Sequence, residues 1–167
     1  NVELIASPPK SGRVDVLVPR CLIGNGKDVL GTSIDQEGLS SIQIEWRYGT
    51  ITSIKGLKET SKVPAEILLP RFAEPHAHID KAYSWSRSSN LKGTYQEALA
   101  ANISEYALRS KDELIFSVEK SLNVALLNGI RAIRSHIDSF GKTAIRDWEL
   151  LEDVRKKWQE KIFLQFV

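Results

Sequence analysis

Two histidines separated by one residue close an apolar segment. Ile67-Leu68-Leu69-Pro70-Arg71-Phe72-Ala73 leads directly into Glu74-Pro75-His76-Ala77-His78-Ile79-Asp80-Lys81. Side chains alternate faces along a strand, so residues two apart project from the same side. His76 and His78 are therefore expected to offer imidazole nitrogens to one space, where a single metal ion can be held. Asp80 continues the series. Two neutral nitrogens and a carboxylate suit zinc or ferrous iron better than calcium or magnesium. Asp80 either ligates the ion or orients one of the histidines from behind, and the orienting role is preferred. Lys81 is either a surface cation or a substrate contact, and the sequence leaves the two readings even.

Regular elements must hold such a group in place. From Pro64 onward the pattern runs strand (about Ile67 to His76), loop, helix, helix, strand, helix, strand. Thr94-Tyr95-Gln96-Glu97 and Ser110-Lys111-Asp112-Glu113 read as capping boxes, in which hydroxyl and carboxylate satisfy free N–H groups reciprocally. Tyr95, Leu99, Ile103 and Tyr106 share one side of the first helix. Ile115, Val118, Leu122 and Ala125 share one side of the second, which stops near Asn128-Gly129. Ile130 to Asp138 is the next strand. Ile145, Trp148, Leu151, Val154 and Trp158 then recur at helical spacing, and Ile162 to Val167 is β-rich. Strands alternating with helices imply βαβ units and a parallel sheet.

The first third reads differently. Val14 to Val18 alternates, Arg20 to Ile23 continues it, and Gly24-Asn25-Gly26 signals a turn. Ser41 to Tyr48 alternates again, Gly49-Thr50 breaks it, and Ile51 to Ile54 is the expected hairpin partner. Asp28 to Ser40 reads as a loop. The chain is thus expected to divide into a small β unit over residues 1–63 and a βα unit over residues 64–167.

Within the βα unit, His136-Ile137-Asp138 repeats the chemistry of the first strand. Active groups of βα barrels gather at the C-terminal ends of strands, so His136 is expected to face the same mouth as His78. The plainer alternative is a structural histidine satisfied by a hydrogen bond to Asp138. Three parallel strands ending on an apolar edge need cover on both faces. The polypeptide is therefore expected to be incomplete, the rest of the barrel coming from residues outside this chain or from a second chain. A homo-oligomer is left open.

Composition narrows the class. The 167 residues are 42% hydrophobic and 26% charged with a formal net charge of +2, which argues for a globular protein. So small a charge gives no reason to expect nucleic acid or an anionic membrane as partner. The basic run Arg155-Lys156-Lys157 sits in a helical pattern and reads as a solvated face. Cys21 is the only cysteine, so no internal disulfide is available, which fits a reducing, cytoplasmic setting. No apolar run approaches the roughly 20 residues that span a bilayer, and the N-terminus lacks a signal-peptide core.

Five segments in order carry a resemblance: Pro75-His76-Ala77-His78-Ile79-Asp80-Lys81, Gly93-Thr94, Asn128-Gly129-Ile130-Arg131, Arg134-Ser135-His136-Ile137-Asp138 and Leu164-Gln165-Phe166-Val167. By these the chain resembles cytosine deaminase and its relatives in the metal-dependent amidohydrolase superfamily, from about residue 64 to the C-terminus. The β unit before it is similar to the small β-sandwich that the superfamily packs beside its barrel. The resemblance implies an α/β fold: the N-terminal portion of a TIM (β/α)8 barrel, incomplete in this chain, with a small N-terminal β-sandwich subdomain. It implies His76 and His78 as first-strand ligands of one divalent ion, zinc or iron, with Asp80, Lys81, His136 and Asp138 behind them or near the substrate.

The implied reaction is hydrolytic deamination of a cytosine-like aminated N-heterocycle with release of ammonia, the ion lowering the pKa of its water toward roughly 7. The family completes its site with a histidine and an aspartate from later strands, and with a glutamate and another histidine for proton transfer. None of these lies in this sequence. The chain alone is therefore expected to be inert, with no residue assigned as proton shuttle. Lys81 departs from the residue expected in bacterial cytosine deaminase and looks more like relatives acting on other aminated rings. The alternatives are an amidohydrolase of an aminotriazine or cyclic amide and, from another class, a non-catalytic βα binding module with structural histidines.

Overall fold

The computed structural model describes residues 9–24, 37–58 and 62–167. Asn25 and Gly26 of the expected turn, and residues 28–36 of the expected loop, lie outside them. The chain divides into two compact units between Pro70 and Arg71.

The first unit is an antiparallel sheet in the order β1 (Ser11–Pro19), β2 (Leu39–Arg47), β3 (Thr50–Gly56). Alternation places Val16, Val18, Ile42 and Ile44 on one side, where they form a small buried core with Val14, Ile23 and Ile54 against it. β2 and β3 are joined by Tyr48-Gly49, both at positive φ (52° and 78°), the twist that two-residue hairpins favour. Gly12 faces Trp46 across the ladder, and a Cβ there would sit 2.5 Å from the indole. Among the described residues this unit forms one sheet, without the second facing sheet of a sandwich.

Two expectations shift at prolines. Pro19 ends the ladder because it fixes φ and lacks an N–H. Arg20–Leu22 accordingly forms a 3-10 turn rather than continuing the strand. The apolar residues before Pro70 pair with β1: Leu17 N–H donates to Glu66 O and Leu68 N–H to Leu17 O, both at 2.8 Å. The strand bearing the histidines therefore starts at Phe72 and not at Ile67.

The second unit runs β4 (Phe72–Ala77), α1 (Tyr95–Leu108), α2 (Lys111–Leu127), β5 (Ile130–Ser135), α3 (Ala144–Trp158), β6 (Phe163–Phe166). Its sheet is parallel in the order β4-β5-β6, giving a mixed α/β chain in which the three strands do not close among the described residues. Leu114, Val118 and Leu122 of α2 and Leu151, Val154 and Trp158 of α3 pack with Ile133 and Leu164 of the sheet, joined by Ile79 and Ile162. This buried cluster is what holds the strand ends in register. The other side of β5 and β6 presents Arg134, Phe163 and Gln165, all exposed, with Arg134 Nε donating to Gln165 Oε1 at 2.8 Å.

The β4–β5 ladder is irregular. Glu74 pairs with Ile133 and Ala77 with Ser135, so β4 carries one more residue than β5 across that interval, at Pro75-His76. Helix α1 also departs from expectation. Of its stripe, Tyr95, Leu99 and Ile103 are exposed and Tyr106 alone is buried, beside Glu105. No helix among the described residues is long and apolar enough to cross a membrane.

The two caps differ. Ser110 and Glu113 form the full reciprocal box at α2. At α1, Thr94 Oγ1 accepts from Glu97 N–H at 3.3 Å, but the Glu97 carboxylate turns to the Lys92 N–H. The Ser110 backbone N–H, then the Ser110 hydroxyl, holds the Glu113 carboxyl below its ordinary 4.5. A depressed folded pKa stabilises above the unfolded value and is lost as pH falls through the folded one. Ser110→Ala is expected to cost about 1 kcal/mol. In urea melts at a series of pH values, Glu113→Gln should lack the part of the acid loss that the parent shows below pH 4.5.

Candidate functional site

The ends of β4, β5 and β6 are tied together by backbone bonds that outlast the strands. His136 N–H donates to Ala77 O at 2.8 Å, Ile137 N–H to Val167 O at 2.8 Å, and Val167 N–H to Ser135 O at 3.0 Å. Ser135, buried beneath them, accepts from Ile79 N–H at 3.1 Å and donates to Ala77 O at 3.3 Å. These bonds bring the three imidazoles together. The rings of His76 and His136 stack at 4.1 Å between centroids and 27° between planes. His78 lies 5.5 Å from His76 and 5.8 Å from His136, tilted to both. Desolvation first, then the charges of His76, His78 and Arg134, hold His136 below its ordinary pKa.

Asp138 does not pair with His136. Its Oδ2 accepts from Lys81 Nζ and, at 2.6 Å, from Asn102 Nδ2 on α1. Its Oδ1 stands 3.9 Å from His78 Nδ1, a buried nitrogen with no hydrogen-bond partner. Burial raises the Asp138 pKa, but the hydrogen bonds from Lys81 and Asn102 and the lysine's charge outweigh it, and the net shift is downward. The group is an anion in this setting. Lys81, Asn102 and Asp138 line one side of a cleft of about 580 Å³ whose apolar walls include Tyr95, Leu99 and Phe140.

Asp80 leaves the same-face series. β4 ends at Ala77, so alternation does not extend to residue 80, and its side chain turns inward to full burial. Arg109, just past α1, donates from Nη1 to Asp80 O at 2.6 Å and pairs with Asp80 Oδ2 at 3.5 Å. Burial raises the Asp80 pKa, with Arg109 opposing it. Asn102, Arg109 and Ser135 were not singled out from the sequence. Asn102 had a signal: it lies three residues after Leu99 and four before Tyr106, a polar residue inside an apolar stripe.

The chemistry of the donors fits a zinc- or iron-class ion in part. His76 and His78 supply two imidazoles at one strand end, and His78 turns its buried Nδ1 toward Asp138, an arrangement in which the other ring nitrogen is the one left for an ion. Among the described residues, no three or more His, Cys, Asp or Glu side chains form a complete ligand set.

No family model matches the chain. It is 30% identical over 174 residues to the pterin deaminase of Rhizobium rhizogenes, an alignment covering 96% of this chain and 38% of the relative. The chain thus spans well under half the length of that curated relative. Among solved structures it is similar to 5-methylcytosine deaminase from Klebsiella pneumoniae. With 5-fluorocytosine bound, that enzyme matches at a TM-score of 0.62 and 20% identity, over 76% of this chain and 32% of the other. With phosphonocytosine the values are 0.64, 19%, 76% and 33%. The structural likeness bears on the fold and extends the mixed α/β arrangement to solved proteins. The pterin deaminase is thus a relative by sequence over part of its length, and the 5-methylcytosine deaminase shares the fold. Both are named deaminases.

Proposed function

We propose that this chain is the N-terminal, metal-binding part of a hydrolase that deaminates an aminated N-heterocycle of the cytosine or pterin type. The observation that carries the reading is the gathering of His76, His78 and His136 at the ends of adjacent parallel strands, beside Asp138 and Lys81. The names of the relatives support the reaction class, and the pterin deaminase favours a ring larger than cytosine. In this reading residues 64–167 are the first three strands and helices of a TIM barrel, and residues 1–63 are a β-sandwich subdomain. The barrel is completed by further residues or by another chain, in a cytoplasmic protein.

His76 and His78 would hold one divalent ion, zinc or iron, which when bound supplies Lewis-acid activation of water. The chain's own groups do the positioning. His136 packs flat on His76 and limits its rotation. Lys81 and Asn102 border the cleft and spend donors on Asp138, which they hold at its edge. Tyr95 and Phe140 supply apolar walls against the faces of such a heterocycle. Asp80, locked by Arg109, fixes the turn that follows His78. No residue of this chain is assigned to proton transfer.

Metal analysis of the purified full-length protein tests this. Stoichiometric zinc or iron is expected in the parent and is expected to be lost, together with ammonia release, in His76→Ala/His78→Ala. Metal retained at the parent level in that variant would overturn the site. A metal-free parent would favour the non-catalytic module.

A further inference from the structure

Asp138 has two oxygens with different surroundings. Oδ2 is taken twice, by Lys81 Nζ from the turn after β4 and by Asn102 Nδ2 from α1 at 2.6 Å. Oδ1 makes no such bond and faces His78 Nδ1 at 3.9 Å. That nitrogen is buried and otherwise without a hydrogen-bond partner. A carboxylate held on one oxygen by two donors cannot swing, and its free oxygen then acts as a fixed negative charge. Beside an imidazole, a fixed negative charge favours the tautomer with its proton on the near nitrogen, leaving the far nitrogen as the donor lone pair.

We propose that Asn102 and Lys81 are positioning residues that clamp Asp138 so that it sets the tautomer of His78. The inference rests on the proposed metal reading and deepens it. It brings in α1, a helix that contributes no imidazole, and it makes Asn102 an outer support of the ion site reached only through Asp138. The coupling runs in one chain: helix amide, strand-end carboxylate, imidazole.

Zinc affinity of the full-length protein, measured by competition with a chelating dye, tests it without reference to turnover. Asp138→Asn keeps the volume and removes the charge, and is expected to weaken zinc binding about 10- to 100-fold. Asn102→Ala is expected to weaken it about 10-fold by the same route. Because both act through one carboxylate, Asn102→Ala/Asp138→Asn should bind no more weakly than Asp138→Asn alone. Lys81→Met removes the other donor and should show the same non-additivity, which keeps the test available if Asn102→Ala folds poorly. Parent-like affinity in both Asn102→Ala and Lys81→Met, or losses that multiply in the double variants, would overturn the clamp. If His76→Ala/His78→Ala abolishes zinc binding while these variants do not alter it, the clamp alone fails. If zinc binding survives the histidine substitutions, the metal reading itself fails.

Discussion

Arg109→Ala is expected to lower the stability of the βα unit by about 3–5 kcal/mol, the usual cost of removing one partner from a buried ion pair. The guanidinium is 2% exposed and its partner Asp80 is 0% exposed. Arg109 does several things at once. It bonds the Asp80 carbonyl at 2.6 Å, neutralises the carboxylate at 3.5 Å, and lies over the Tyr106 ring at 5.1 Å. Glu105, also nearby, keeps a second partner in Arg87 at 3.1 Å, so Asp80 is the group left stranded. Arg109→Lys should recover only part of the loss, because an ammonium cannot reach carbonyl and carboxylate together. The diagnostic is Asp80→Asn/Arg109→Met. If the cost is an unpaired buried charge, the double variant will unfold at a higher urea concentration than Arg109→Ala. A double variant that is weaker than Arg109→Ala would show that packing, and not charge, dominates.

Leu122→Ala should cost about 2–5 kcal/mol, the transfer free energy of the lost methyl groups plus the cavity left behind. Leu122 is 0% exposed within the cluster that joins α2, α3 and the sheet. Its neighbours are held by backbone pairing on one side and helices on the other, so the space cannot collapse easily. The same truncation at Leu108, 84% exposed at the end of α1, should stay within about 0.5 kcal/mol. Urea midpoints of the two variants check the contrast, and equal losses would refute this account of the core.

The parts of the site that depend on local period were legible in the sequence. The spacing of His76 and His78 and the strand–helix alternation that brings His136 beside them needed no long-range information. Parts that depend on tertiary choice were not. Asp80 was assigned to the histidine face because alternation was carried past Ala77, where the strand ends. Arg109 lies outside the stripe of α1 and reveals itself only when the turn after β4 folds against it. Asp138 has Lys81, Asn102 and His78 within reach, and no spacing rule says which it prefers. Likewise Ile67 to Leu69 have the composition of a core strand, and only the free edge of β1 decided where they pair. The stripe of α1 misled for a related reason: helical spacing reports an apolar side, not the surface that it covers.

The extra residue in β4 opposite Ile133 and Ser135 determines a parity. Ala77 pairs with Ser135 and packs against the helix-side core, although three positions separate it from Glu74, which pairs two residues back at Ile133. His76 thereby falls on the opposite side, where its ring meets His136. A strand without the insertion would turn that ring toward the helices. The length of the segment from Glu74 to Ala77 is therefore as much a part of the site as the identity of His76.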